Sequence, residues 1–265
     1  MHSPIGIFDS GIGGLTIANC LKEKLPQESI TYFGDTEHLP YGEKSTKAIR
    51  YFSKTITSFL KSKNCKAIIM ACNSASSVSY EEVVKYSKEI PVFNVIDPVI
   101  NYVAKYCNNN SVGVIGTKAT INSNIYCEKI NSLNPNIKVC SLATPLLAPM
   151  IEEGFINEKI SKAIIKNYIS NKKIQNINHI ILACTHYSLI KNEINMLYNN
   201  KVNIIESPDI IANSISNELQ KLNLTTKSRK PSYDFYVSNY TESFENSARL
   251  FFQEEIKLEE IKIWH

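Results

Sequence analysis

Two short segments occur twice in this chain, in the same order and at nearly the same interval. Gly6-Ile7-Phe8-Asp9-Ser10 has its counterpart 107 positions later in Gly113-Val114-Ile115-Gly116-Thr117. Ile68-Ile69-Met70-Ala71-Cys72-Asn73-Ser74 has its counterpart 112 positions later in Ile180-Ile181-Leu182-Ala183-Cys184-Thr185-His186. A chain that repeats a glycine-bearing strand end and an Ala-Cys-polar strand end at a common offset is constrained toward two similar lobes. Between these motifs, short Ile- and Val-rich runs alternate with segments of helical period, the pattern of strands feeding helices onto parallel sheets. The expected fold is α/β, with two similar doubly wound lobes, mostly parallel sheets related by pseudo-twofold symmetry, and the active site between them.

The spacing predicts strands over 5–8, 29–33, 67–70, 92–95, 111–115, 138–142, 179–182, 202–205 and 233–237. Ile49, Phe52, Ile56, Phe59 and Leu60 form one apolar stripe at helical spacing, and Ile160, Ile164, Ile165 and Ile169 form another, both read as core faces. Glycine is scarce, with nine residues, and four of them fall between Gly6 and Gly14 at a predicted strand end. Such a loop suits close wrapping of a small ligand. It lacks the dinucleotide glycine spacing and the Gly-Lys-Ser/Thr of a phosphate loop, so no nucleotide is expected.

Composition excludes several classes. No apolar stretch reaches the length of a bilayer span, and the start of the chain shows no secretory signal pattern, so neither a membrane association nor export is expected. The net charge of +4 is spread over runs such as Lys61-Ser62-Lys63 and Lys227-Ser228-Arg229-Lys230 rather than forming a basic stripe, so nucleic acid is not expected as a partner. Seven cysteines with no Cys-x-x-Cys pair fit reduced thiols in a cytoplasmic protein, without a disulfide framework or a metal site.

In open α/β sheets ligands gather beyond the carboxyl ends of the strands, which is where Cys72 and Cys184 fall. A helix is expected just after each, and its N-terminus would favour thiolate over thiol. Burial in packing is the competing role for either cysteine alone. Their matched positions instead suit facing thiols, one removing a proton from a carbon while the other returns one to the opposite face. Asp9 would assist Cys72, with a helix cap as its alternative. His186 would assist Cys184, with an ordinary first-turn position as its alternative. The other five cysteines are read as small buried hydrophobes. A Cys-His hydrolase would leave Cys72 without a role, and a binding protein would leave both thiols unexplained.

Gly6-Ile7-Phe8-Asp9-Ser10-Gly11-Ile12-Gly13-Gly14, Pro40-Tyr41-Gly42, Ala71-Cys72-Asn73-Ser74-Ala75 and Cys184-Thr185-His186-Tyr187 together resemble the glutamate racemase family, in order and spacing across nearly the whole chain. The resemblance implies a cofactor-independent enzyme, without pyridoxal phosphate, that interconverts L- and D-glutamate and supplies D-glutamate for peptidoglycan. It implies Cys72 and Cys184 as the acid/base thiols, Asp9 and His186 as their assistants and Glu152 as a further catalytic residue. Substrate would be held by Ser10, Tyr41, Gly42, Asn73, Ser74, Thr117, Thr120 and Thr185, with Asp35 nearby. The family fold implies a first lobe of residues 1–97 plus 210–265 and a second of 98–209, and it leaves room for a homodimer. An aspartate or related amino-acid racemase and a catalytically silent amino-acid-binding protein are the competing readings. Three positions depart from the family's pattern: Ser74 in place of Thr, Ala183 in place of Gly and Ser188 in place of Pro. None removes a reacting group.

Overall fold

The strands run β1 (Ile5–Asp9), β2 (Ile30–Gly34), β3 (Ala67–Met70), β4 (Val92–Asn94), β5 (Ser111–Gly116), β6 (Lys138–Ala143), β7 (His179–Ala183), β8 (Asn203–Ile205), β9 (Tyr233–Val237) and β10 (Leu258–Glu260) in a computed structural model that describes residues 3–156, 158–226 and 230–264. They form a six-stranded sheet in the order β10-β9-β2-β1-β3-β4 and a four-stranded sheet in the order β6-β5-β7-β8. All pairings are parallel. The order β2-β1-β3-β4 in one sheet is repeated as β6-β5-β7-β8 in the other, so the sequence repeat corresponds to a repeat of topology.

The helices are α1 (Leu15–Lys24), α2 (Thr46–Ser62), α3 (Asn73–Ser87), α4 (Asp97–Tyr106), α5 (Lys118–Asn122), α6 (Ile125–Leu133), α7 (Leu147–Glu152), α8 (Lys159–Ile169), α9 (Lys191–Leu197), α10 (Ser207–Lys221) and α11 (Glu242–Phe252). None among the described residues is long and apolar enough to cross a membrane. The basic run at 227–229 lies outside the described residues.

Register aligns the chemistry. Phe8 lies beside Phe33 and Met70, so Asp9, Gly34 and the Ala71-Cys72 exit share one edge of the first sheet. Gly116 lies beside Ala143 and Ala183, which brings Thr117, Thr144 and Cys184 to the equivalent edge of the second. Strand alternation divides the core in the first sheet. Ile5, Ile7, Ala67 and Ile69 join a large cluster continuous with the second sheet, while Phe8, Ile68 and Met70 pack under α2 and α3.

Four expectations are corrected. β10 is too short and too polar to show in the sequence, and it is held by pairing with β9. The second stripe loses a member: Ile165 and Ile169 are buried, but Ile160, in the first turn of α8, is 64% exposed. Of the five cysteines read as buried, Cys65 and Cys107 are, whereas Cys20, Cys127 and Cys140 are half-buried. Cys184 is followed not by an α-helix but by a 3-10 turn, Thr185–Ile190, before the short α9. The Ser188 hydroxyl donates to the Thr185 carbonyl inside that turn.

Candidate active site

Cys72 leaves β3 in extended conformation and caps α3, its Sγ accepting the Ala75 N–H at 3.5 Å while its thiol donates to Ser10 Oγ at 3.5 Å. The Ala75 contact favours the thiolate, as expected from the helix N-terminus, but it does not prevail. Burial first, then the Asp9 charge, pushes the thiol up to about 12. In this state Cys72 carries its proton at neutral pH.

Asp9, at the end of β1, is fully buried. Its Oδ2 accepts the Gly14 N–H at 2.9 Å, so the helix-start role is realised, yet Oδ1 finds no hydrogen-bond partner among the described residues. Leaving a buried carboxylate oxygen unpaired is costly. Asp9 therefore closes the glycine loop and lies near enough to Cys72 for its charge to hold the thiol proton.

Cys184 leaves β7 in the same way but has a different partner. Its Sγ lies 3.7 Å from His186 Nδ1, and His186 Nε2 lies 3.0 Å from Glu152 Oε1. His186 and Glu152 are 2% and 6% exposed, so Glu152, the last residue of α7, is no solvated helix-end carboxylate. The His186–Glu152 contact is an ion pair lying off the N–H axis, since Nε2 makes no aligned hydrogen bond among the described residues. Burial depresses the imidazole, but the Glu152 charge and the contacts to Cys184 and Glu152 outweigh it and hold His186 well above its ordinary value. One thiol thus faces a carboxylate, and the other faces an imidazolium that a second carboxylate supports.

Both sulfurs line one closed cavity with Ser10, Tyr41, Gly42, Asn73, Ser74, Thr117, Glu152, Thr185 and His186, together with Pro40 and Ala148, to which the sequence reading gave no role. Its volume is about 20 Å³, room for roughly a single water. A substrate therefore enters only when the lining separates. The hydroxyls of Ser74 and Thr117 are bonded to each other at 2.8 Å, and Gly42 lies against Thr117 so closely that a Cβ there would meet Thr117 Cβ at 2.4 Å. A larger cavity of about 260 Å³ adjoins it, sharing Asn73, Cys184 and Thr185.

Three residues named from the sequence do not line this cavity: Asp9, which closes the glycine loop, and also Asp35 and Thr120. Asp35 sits behind it, fully buried, accepting Tyr41 Oη at 2.6 Å and Ser238 Oγ at 2.8 Å. Thr120 accepts from Thr117 Oγ1 at 3.1 Å, and its own N–H is capped by that same oxygen at 3.3 Å. Asp35 and Thr120 each hold a lining residue in place. Tyr126, which nothing in its ordinary helical setting singles out, donates to Asn73 Oδ1 at 2.7 Å.

The duplicated α/β fold brings two thiols from equivalent strand ends into one cavity, each beside a titratable side chain. Residues 15–215 match the Asp/Glu/hydantoin racemase family, and the chain belongs to that family. It is 37% identical over 256 residues to glutamate racemase 3 of Caldanaerobacter subterraneus, covering 96% of this chain and 93% of that protein. The crystal structure of glutamate racemase from Francisella tularensis in complex with D-glutamate superposes with a TM-score of 0.92 at 40% identity, covering 99% of this chain and 98% of that one. A glutamate racemase isoform from Bacillus anthracis superposes with a TM-score of 0.91 at 32% identity, covering 98% of each chain.

Proposed function

We propose that this chain interconverts L- and D-glutamate by proton transfer between Cys72 and Cys184, supplying D-glutamate for peptidoglycan. The observation that carries the reading is the shared cavity: thiols from two repeated strand ends line one space, with the relatives' substrate name supplying the amino acid. In one direction the Cys184 sulfur, as thiolate beside imidazolium His186, takes the α-proton. The C–H electron pair stays on carbon while an S–H bond forms. The Cys72 thiol then gives its proton to the opposite face, its S–H pair remaining on sulfur beside Asp9. The reverse direction exchanges the roles. Exclusion of water and the hydroxyls and amides of Ser10, Asn73, Ser74, Thr117 and Thr185 stabilise the charge that develops on the substrate.

The same reading divides the chain into lobes of 1–97 plus 210–265 and 98–209, supported by the return of β9 and β10 to the first sheet. A cytoplasmic location and a homodimer belong to it on the strength of the resemblance. Circular dichroism of L-glutamate mixed with the protein, with nothing else added, tests the activity. Decay of the signal to zero is expected. Decay with L-aspartate alone, or binding of glutamate without decay, would overturn the assignment.

A further inference from the structure

Asn73 is the first residue of α3, next to Cys72, and is 8% exposed in the lining of the closed cavity. A primary amide has an accepting end and a donating end, and a flip of half a turn exchanges them. Which end faces the cavity decides whether the site attracts or repels a carboxylate there. Tyr126, on α6 at the second sheet, is 3% exposed and donates its phenolic hydrogen to Asn73 Oδ1 at 2.7 Å. With the oxygen occupied, the Nδ2 hydrogens are left with no hydrogen bond among the described residues. Burial, reinforced by the charges of Asp97 and Cys184, drives Tyr126 ionisation upward, so the phenol remains a donor at every working pH.

Resting on the racemase reading above, we infer that Tyr126 is a positioning residue: it fixes the Asn73 amide with its donor end toward the cavity, so that the site takes an anionic carboxylate of the substrate. The bond joins a helix of the second sheet to a helix of the first, so the orientation is set only when the two approach. The closed cavity and the oriented amide are therefore acquired together.

Tyr126→Phe removes the hydroxyl and keeps the ring. KM for L- and for D-glutamate is expected to rise about tenfold with kcat within about threefold of the parent, the loss of one hydrogen bond that acts on binding. The Kd for D-glutamate by calorimetry is expected to rise in parallel. In an Asn73→Ala background the same substitution is expected to change neither constant by more than about twofold, because its target is gone. An unchanged KM in Tyr126→Phe, or an equal KM rise in the Asn73→Ala background, would overturn the inference. If Tyr126→Phe folds poorly, Asn73→Asp keeps the acceptor for Tyr126 and removes the donor end, and an unchanged Kd in that variant would overturn it equally. Calorimetric affinity keeps this test in force if the wild-type protein fails to racemise glutamate, an outcome that would instead sink the racemase reading.

Discussion

A methyl group at Gly42 tests whether the closed site depends on contact across the two sheets. Built on the backbone as it stands, the new Cβ would lie 2.4 Å from Thr117 Cβ and 2.7 Å from Thr117 Cγ2. Carbon atoms settle at about 3.5–4.0 Å, so more than about 1 Å must be recovered. A rotamer change at Thr117 does not help, because its Cβ is fixed to the backbone at the end of β5. The Tyr41–Glu43 turn and the end of β5 must separate instead, carrying Thr117 away from Ser74. Gly42 does not occupy the left-handed region, so alanine itself is unstrained and the fold should persist. A misplacement of about 1 Å in such a site costs on the order of 10²-fold in rate, or about 2.7 kcal/mol of transition-state stabilisation. The expected kcat/KM of Gly42→Ala is therefore about a hundredth of the parent value, read by circular dichroism of L-glutamate racemisation, with an unaltered far-ultraviolet spectrum. Gly11→Ala is the control, since its Cβ would have no neighbour nearer than 3.5 Å, and it should retain activity within about threefold. A Gly42→Ala enzyme within about threefold of wild type would refute the argument that this contact sets the closed geometry.

Glu152→Gln removes the charge that offsets burial of His186, so the imidazole should lose its proton at lower pH. The alkaline limb that reports imidazolium should move to lower pH in the pH–rate profile, and an unmoved limb would contradict the pairing of Glu152 with His186. Cys72→Ser and Cys184→Ser should each abolish turnover by the same assay, and an active single variant would contradict the two-thiol assignment. Glu28, 2% exposed, pairs with Lys66 and accepts the Thr226 N–H, so Glu28→Ala leaves the half-buried Lys66 ammonium and the Thr226 N–H without this partner and should cost about 2 kcal/mol, measured by thermal or denaturant unfolding.

The strand ends were legible because a buried parallel strand is an unbroken apolar run, and the motifs at 72 and 184 sit where such runs stop. The repeat was legible because both sheets use the same strand order. The α-helix expected after Cys184 was not, since the 3-10 turn there reflects local backbone bonding that a Cys-Thr-His-Tyr string does not express. Nor was the protonated state of Cys72: a helix N-terminus argues for thiolate, whereas burial and the Asp9 charge arise only from tertiary packing. Nor was the placement of Asp35 and Thr120, which lie outside the cavity lining and bond to Tyr41 and Thr117 within it, because those contacts arise only from packing. Tyr126 gave no signal because its partner Asn73 lies 53 positions away on another helix.

Racemisation of L-glutamate in D2O bears most directly on the claim that two thiols serve opposite faces of one carbon. At low conversion the D-glutamate formed should carry deuterium at Cα, delivered by a solvent-equilibrated thiol, while the recovered L-glutamate keeps its protium. Deuterium entering the recovered L-glutamate as fast as product appears would mean that a single base serves both faces.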